Sequence, residues 1–151
     1  MDIKVIDMTA EHTDALYLLE TICFSHPWTR QDFMEELDNE NAHFLTAICP
    51  DGICGYIGVQ EICGEGYITN VAVFPEFRRC GVAAKLISKA LDNAKQRDCE
   101  FLSLEVRKSN IPAINLYKKL GFTVNGERKN FYRDPDENAI LMINNLRTEN
   151  V

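Results

Sequence analysis

The stretch FRRCGVAAKL, residues 77–86, places two arginines, a cysteine and a glycine directly before a helical pattern. A helix start exposes backbone N–H groups without intrahelical acceptors and carries a partial positive charge. Gly81 and Ala83 add little bulk there, while Arg78 and Arg79 add positive charge. The segment is therefore suited to bind a phosphate or pyrophosphate, the alternative being a solvated turn with exposed arginines. No GK[ST] sequence follows, which disfavours a nucleoside triphosphatase.

The carboxylate of Glu105 is a candidate proton acceptor. The strand-like pattern FLSLEVR, residues 101–107, alternates so that Leu104 and Val106 share one face and Glu105 lies on the other. A carboxylate that is partly removed from water is a better base at neutral pH. From periodicity alone, the favoured interpretation is a half-exposed glutamate that pairs with Arg107.

Tyr117 is a candidate proton donor on the helix that should follow this strand. A phenol is a weak acid at neutral pH, but it can give its proton to a developing anion. The ordinary role of a tyrosine at this position is core packing beside Ile114 and Leu120. Ser109 or Asn110 can cap the start of the same helix.

The elements that hold these residues follow a mixed order, first an antiparallel meander and then strand–helix–strand–helix–strand. This order predicts a single α+β (mixed α/β) domain over residues 1–151, with crossover helices on a sheet. The predicted strands cover residues 2–8, 44–49, 53–62, 66–74, 101–107, 122–128 and 138–146. The predicted helices cover residues 9–23, a segment starting near residue 29, residues 82–97 and a segment that ends at Gly121.

Two of the helix starts carry capping signals. Thr9 can cap the first helix, and Thr29 with Asp32 forms a T-x-x-D pattern before the second. Spacing predicts that one face of the first helix is apolar. The residues on that face are Ala15, Leu16, Leu19 and Ile22.

Charge and cysteine content disfavour several classes of function. The chain has 16 basic and 23 acidic residues, and its net charge of −7 disfavours a general nucleic-acid binder but permits a basic substrate. No apolar run is long enough to span a membrane, and the acidic N-terminal segment does not resemble a signal peptide, so we expect a cytoplasmic protein. The six cysteines form no CxxC pair, which predicts no zinc site. Cys49 and Cys54 could face each other across a hairpin, but buried free thiols are the favoured interpretation.

Several motifs resemble one family. RRCGVA at residues 78–83 resembles the R/Q-x-x-G-x-G/A acetyl-CoA motif of the GNAT N-acetyltransferases. LEVRKSNIPAINLYKKLGF at residues 104–122 resembles the signature of the RimI group, the bacterial ribosomal-protein N-terminal acetyltransferases. Three further fragments agree with that group, namely HPWT (26–29), NVAVFPEFRR (70–79) and RKNFY (128–132).

The resemblance implies a GNAT fold, with a mostly antiparallel sheet, a parallel central pair splayed around the acetyl-CoA site and helices on both faces. It implies acetyl-CoA as cosubstrate and no metal. The backbone of Val71, Ala72 and Val73 would pair with the pantetheine arm, and the Val73 N–H would polarise the thioester carbonyl. The other residues that the resemblance places against coenzyme A are Arg78, Arg79, Cys80, Gly81, Val82, Ala83, Ala84 and Asn110.

The resemblance also assigns chemical roles. Glu105 matches the general base of the RimI group, acting directly or through a water, and Tyr117 matches the general acid toward the coenzyme A thiolate. His26, Pro27 and Trp28 resemble the loop that shapes the peptide site, although Trp28 could equally be a local hydrophobic plug. The aromatic pair on the opposite wall of that site is matched by Tyr132 and Phe131.

The function implied by the resemblance is acetylation of the α-amine of a protein N-terminus. The expected substrate is the N-terminal alanine of small-subunit ribosomal protein eighteen, whose arginines would suit an acidic run near the entrance. The alternatives are acetylation of a small amine or a lysine, and a non-catalytic acyl-CoA sensor. We expect a monomer or weak homodimer that contacts neither nucleic acid nor membrane directly. The acidic run consists of Glu35, Glu36, Asp38 and Glu40.

Three residues add qualifications to this interpretation. Phe131 stands where the group often has tyrosine, and Asn138 stands where it often has aspartate. Both positions bear on which peptide is accepted. Cys80 lies at a helix start beside two arginines, where a thiol is expected to react readily. Oxidation of Cys80 could then block coenzyme A.

Overall fold

A computed structural model describes residues 2–147 and contains four α-helices around a seven-stranded sheet within that range. The strands are β1 (Lys4–Asp7), β2 (Leu45–Cys49), β3 (Gly52–Ile62), β4 (Glu65–Val73), β5 (Phe101–Arg107), β6 (Thr123–Tyr132) and β7 (Glu137–Asn145). The helices are α1 (Thr13–Cys23), α2 (Arg30–Leu37), α3 (Val82–Gln96) and α4 (Ile111–Lys119). The predicted α+β class is confirmed, and β6 runs beyond its predicted end at residue 128.

The sheet contains a wedge-shaped gap between its two central strands. Its strand order is β1-β2-β3-β4-β5-β7-β6, and every neighbouring pair is antiparallel except β4 and β5. These parallel strands pair only at Glu65–Phe101, Gly66–Leu102 and Tyr67–Ser103. Beyond that point β4 continues beside β3 and β5 continues beside β7, so the two strands diverge. This is the splayed parallel pair that the family resemblance implies.

Apolar side chains form two separate clusters, one for each face of the sheet, because each helix buries one apolar stripe. The larger cluster joins α3 and α4 to the sheet and includes Leu86, Ala90, Leu104 and Ile114. The smaller cluster joins α1 and α2 to β3 and β4. It consists of Met8, Leu16, Leu19, Phe33, Phe44, Tyr56 and Ala72.

Two predicted caps fix the starts of helices beside the gap. Thr29 Oγ1 accepts from Asp32 N at 3.1 Å while Asp32 Oδ2 accepts from Thr29 N at 2.8 Å, a reciprocal capping box on α2. Asn110 Oδ1 accepts from Ala113 N at 3.3 Å and caps α4. Both caps are confirmed, and they determine where the loops that flank the gap become helix.

The start and the buried face of α1 differ from the prediction. Residues 10–12 form a 3₁₀ turn, in which Thr9 N donates to His12 Nδ1 at 3.1 Å, and the α-helix begins only at Thr13. Ile22 was expected in the core but is 50% exposed, whereas Glu20 is 1% exposed. The helix is rotated relative to the apolar pattern because Glu20 finds hydrogen-bond donors inside the protein.

The cysteines are all free thiols, as predicted, but they are not all buried. Cys49, Cys54 and Cys99 are buried, whereas Cys63 and Cys80 are exposed. Both exposed cysteines lie in turns that carry no apolar stripe. Among residues 2–147, no helix combines the length and apolar character needed to cross a membrane.

Candidate active site

Glu105 lies on β5 just after the sheet has begun to open. Its neighbours Leu104 and Val106 are buried on the other face, as the alternation predicts. The hydroxyl of Tyr67, at the last paired position of β4, donates to Glu105 Oε2. Burial, followed by the contact with this carboxylate, raises the pKa of Tyr67 and keeps it a donor. Arg107 is directed elsewhere, so the predicted alternative, a pair between Glu105 and Arg107, is wrong.

On the other strand that borders the gap, the backbone of β4 presents polar groups. Phe74 N donates to Cys54 O at 2.9 Å, and hydrogen-bonded positions alternate along an antiparallel pair. The N–H and C=O groups of Val73 and Val71 therefore point away from β3, toward the gap. The Val71 N–H is taken by Asn70 Oδ1 at 3.1 Å, which leaves the Val73 N–H as a donor.

The start of α3 has the geometry of an anion cradle. Gly81 precedes the helix with φ +80°, and a Cβ placed on it would meet no atom within 4 Å. Lys85 N donates to Gly81 O at 3.1 Å, so the N–H groups of residues 82–84 come before the first helical bond. Arg79 is exposed and adopts φ +63°. These features fit a pyrophosphate, because they combine free donors, positive charge and unobstructed space.

The other residues predicted at this cradle take different positions. Val82 is 2% exposed, and its side chain belongs to the core, so only its backbone can face a ligand. Arg78 is exposed, and its Nη2 lies 3.5 Å from Cys23 Sγ. Ala83 and Ala84 are half-buried, and Cys80 is exposed beside them.

Tyr117 is buried on the opposite face of the sheet from Glu105. Its ring meets Phe122 edge-on at 5.4 Å, so the packing role predicted from sequence is present. Burial raises the pKa of Tyr117 to about 12, and the neighbouring phenol of Tyr132 adds to this effect. A tyrosine in this state holds its proton throughout the neutral pH range.

Tyr132 is held by Arg107, which sequence reasoning did not include in the site. The guanidinium of Arg107 lies 4.5 Å from the centre of the Tyr132 ring. The same group donates to Pro135 O at 2.8 Å and Arg133 O at 2.9 Å. Burial, with the charge of Glu105 next, raises the pKa of Tyr132 to about 12.

The segment between α1 and α2, residues 24–29, meets the turn between β6 and β7. His26 Nε2 lies 2.7 Å from Asp134 Oδ2, and Ser25 Oγ donates to Asp134 O at 3.1 Å. These contacts join the segment to the turn that directly follows Tyr132. We call residues 24–29 the acceptor loop.

Trp28 anchors the acceptor loop rather than lining it with an exposed ring. Its ring centre lies 5.3 Å from that of Phe33 and 5.6 Å from that of Phe44. The ring is half-buried against the smaller cluster. This contact favours the hydrophobic-plug interpretation of Trp28, and Pro27 and His26 remain at the loop surface.

Four polar residues of the site were missed in the sequence. Tyr67 and Asn70 lie on β4, where alternation predicts strand but does not reveal which side chains face a gap. Glu20 sits four positions after Leu16 and one after Leu19, and a carboxylate at apolar spacing was a readable signal. Arg107 was assigned to Glu105 because the two share a strand face, whereas a turn distant in sequence supplies its partners.

The profile of the acetyltransferase (GNAT) family matches residues 13–122. The chain belongs to the GNAT family. This GNAT chain is 33% identical over 138 residues to the [ribosomal protein bS18]-alanine N-acetyltransferase of Escherichia coli K12, covering 87% of this chain and 91% of that protein. It is 40% identical over 139 residues to a candidate enzyme of the same name from Bacillus subtilis, covering 91% and 92%.

A solved structure agrees with these relatives. The crystal structure of the ribosomal-protein-S18-alanine N-acetyltransferase from Escherichia coli superposes with a TM-score of 0.89 at 27% identity, covering 99% of each chain. The predicted GNAT fold and the predicted relationship to the RimI group are confirmed. The chain is an acetyltransferase, and acetyltransferases of this fold use acetyl-CoA.

Proposed function

We propose that this GNAT enzyme transfers an acetyl group from acetyl-CoA to the α-amine of a protein N-terminus. The proposed acceptor is the N-terminal alanine of ribosomal protein bS18, the acceptor named for its relatives. One observation carries the proposal, namely that Glu105 and the free Val73 N–H lie on the two strands, β5 and β4, that diverge to form the gap. A base and an oxyanion donor then face one reaction centre.

Acetyl-CoA supplies an activated acetyl thioester when bound. The cradle at the start of α3 would hold its pyrophosphate through the amides of residues 82–84 and the charge of Arg79. The outward-facing backbone groups of Val71 and Val73 would orient the pantetheine arm, with Ala72 packed behind them. Asn110 already caps α4, and its free amide nitrogen can serve as a donor at the same edge.

Glu105 would remove the proton from the acceptor amine. A free α-amine has a pKa of about 8, so much of it is protonated at neutral pH and must lose a proton before attack. Tyr67 holds Oε2 of Glu105 and leaves Oε1 to accept that proton, directly or through a water. A positioned base of this kind accelerates a reaction about 10²–10⁴-fold.

Tyr117 would supply the proton that the leaving thiolate needs. Burial keeps its pKa near about 12, so the hydroxyl is protonated whenever the acceptor amine is free to react. The proton passes from Tyr117 Oη to the sulfur as the bond from carbon to sulfur breaks. The resulting charge on the phenol is relieved when solvent reprotonates it.

The acceptor region suits a basic N-terminal segment. Glu35, Glu36, Asp38 and Glu40 make no ion pair with a cationic side chain in the part of the chain described by the structure. Glu35 and Glu36 accept hydrogen bonds from neutral amides only, so the charge of this run is available to arginines of a substrate.

Mass spectrometry with synthetic peptides tests the proposal. A peptide that begins with alanine followed by arginine should gain one acetyl group on its α-amine. A matched peptide with a blocked α-amine and a free lysine should gain none. Acetylation of the lysine peptide alone would contradict the proposed acceptor, and Glu105→Gln and Tyr117→Phe variants with undiminished turnover would contradict the proposed roles.

A further inference from the structure

Glu20 is a buried carboxylate that the proposed chemistry does not use. It lies on α1, away from the gap, and is 1% exposed. Burying a charge is unfavourable unless hydrogen bonds or ion pairs compensate for the lost water. Burial accordingly raises the pKa of Glu20, and hydrogen bonds from its neighbours oppose that change. A carboxylate buried at this position must therefore be stabilised by specific neighbours.

Three donors surround the Glu20 carboxylate. Trp28 N donates to Oε1 at 2.8 Å. Tyr56 Oη donates to Oε2 at 2.7 Å, and Asn70 Nδ2 donates to the same oxygen at 3.1 Å. A carboxylate offers acceptors on both oxygens, whereas a glutamine amide would offer one acceptor and one donor. The arrangement therefore selects glutamate over its amide.

Two of these donors belong to opposite sides of the proposed reaction centre. Trp28 N is part of the acceptor loop. Asn70 is on β4, and its other side-chain atom, Oδ1, accepts from Val71 N at 3.1 Å. One carboxylate thus connects the loop that would receive the amine to the strand edge that would receive the thioester.

We propose that Glu20 is a positioning residue that fixes the acceptor loop relative to the β4 edge, and so sets where the acceptor amine meets the acetyl group. This inference rests on the proposed function, because it assigns the acceptor to that loop. The third donor, Tyr56, lies on β3 in the core, and Tyr56→Phe removes its hydroxyl while keeping the ring that packs there. Tyr56 therefore separates a positioning role from a purely structural one.

The experiment compares Glu20→Gln with Tyr56→Phe as a matched control, since each disrupts hydrogen bonding at the same buried carboxylate. For Glu20→Gln we expect the KM for the acceptor peptide to rise about tenfold, the loss typical of a hydrogen bond to a charged group. The KM for acetyl-CoA should change by less than about twofold, because the cradle on α3 is untouched. Tyr56→Phe should leave both KM values within about twofold of the parent.

Fluorescence gives a readout that does not depend on turnover. Trp28 is the single tryptophan of the chain, so its emission reports the acceptor loop alone. Glu20→Gln should shift that emission to longer wavelength and increase its quenching by acrylamide, while Tyr56→Phe should not. A third variant, Asn70→Ala, removes the hydrogen bonds of Asn70 to Glu20 and Val71 and leaves the bond from Trp28 N to Glu20 intact. It should lower kcat and leave the wavelength and the quenching of the Trp28 emission unchanged.

The outcomes separate the two proposals. A higher KM for the acceptor peptide in Glu20→Gln, an unchanged KM for acetyl-CoA and a red-shifted, more readily quenched Trp28 emission would support the positioning role. Equal losses in Glu20→Gln and Tyr56→Phe, or an unchanged Trp28 signal, would overturn it. If the parent enzyme acetylates no N-terminal peptide, the proposed function fails, but the Trp28 signal still decides whether Glu20 holds the loop.

Discussion

At the scale of single residues, the site separates its proposed acid from its proposed base. Glu105 is half-exposed on one face of the sheet, and Tyr117 is buried on the other. In the proposed mechanism, the gap between β4 and β5 would give both residues access to one centre. Burial raises the pKa of Tyr117 and keeps its proton in place.

The pH dependence of kcat follows from this separation. The rate should rise between about pH 6 and pH 8 as the acceptor amine loses its proton, and then stay level to about pH 10. The raised pKa of Tyr117, about 12, means that its proton is lost only above that range. A pH–rate profile with the peptide substrate checks this. A fall in rate with a midpoint near about 10, the ordinary value for tyrosine, would contradict it.

Gly81 is the residue whose backbone conformation the cradle needs. Gly81→Ala should raise the KM for acetyl-CoA several-fold, because φ +80° is unfavourable for alanine by about 1–2 kcal/mol and the turn would relax away from the ligand. Gly52→Ala is the matched control, since Gly52 also has a positive φ, +119°, with nothing within 4 Å of an added Cβ. Both variants should lose similar stability in urea unfolding. Equal KM values for acetyl-CoA in Gly81→Ala and Gly52→Ala would exclude a role for Gly81 in binding acetyl-CoA.

At the scale of elements, the turn between β6 and β7 depends on one arginine of β5. Arg107 donates to two carbonyl groups of the turn and stacks on Tyr132. Glu137, at the start of β7, accepts from Arg107 at 3.3 Å and from Ser109 N at 2.6 Å. These contacts connect Tyr132 and the turn between β6 and β7 to the strand that carries Glu105.

Arg107→Lys should therefore weaken the contacts that hold Tyr132 and the turn between β6 and β7. A lysine keeps the charge but cannot donate to two carbonyl groups and stack on the ring at once. We expect the KM for the peptide to rise about tenfold, which corresponds to about 1.4 kcal/mol. Steady-state kinetics with each substrate varied in turn provide the measurement. Arg133→Lys, on the exposed side of the same turn, serves as control, and an equal effect of both substitutions would disprove the role of Arg107.

Local sequence signals predicted most elements because they arise within short stretches of chain. The alternation in β5, the capping box at Thr29 and the cap at Asn110 each depend on neighbours only a few positions away. Ile22 shows where such signals fail, since a helix rotates to satisfy a buried carboxylate whose donors are distant in sequence.

The site was predictable to the extent that motifs encode it. Short motifs predicted the free N–H groups at the start of α3 and the half-exposed position of Glu105. Tyr67 and Arg107 were missed because their roles come from contacts between β4, β5 and the β6–β7 turn. No short pattern contains those pairs.

At the scale of the whole molecule, charge should matter to the encounter with the substrate. The net charge is −7, and the acidic run at the end of α2 contributes to it. Opposite charges attract over roughly a Debye length, about 10 Å at 0.1 M salt. An acidic enzyme should therefore attract basic peptides most strongly at low ionic strength.

The KM for an arginine-containing peptide should accordingly rise several-fold between about 0.02 M and 0.5 M salt. A peptide with the arginines replaced by glutamines should show a higher KM at low salt and little salt dependence. The comparison requires initial rates at matched pH. A salt effect of equal size on both peptides would show that salt acts on the enzyme rather than on substrate attraction.

The interrupted pairing of β4 and β5 also leaves an unpaired strand edge inside the sheet. Unpaired strand edges ordinarily invite strands of other molecules and promote aggregation. Here β4 carries an unpaired edge over residues 68–73 in the middle of the sheet, where three paired positions pin β5 beside it. The three paired positions close one end of the gap, so a strand of another molecule could pair with β4 only along this short stretch. The edge therefore suits a short, extended ligand better than a strand of another protein.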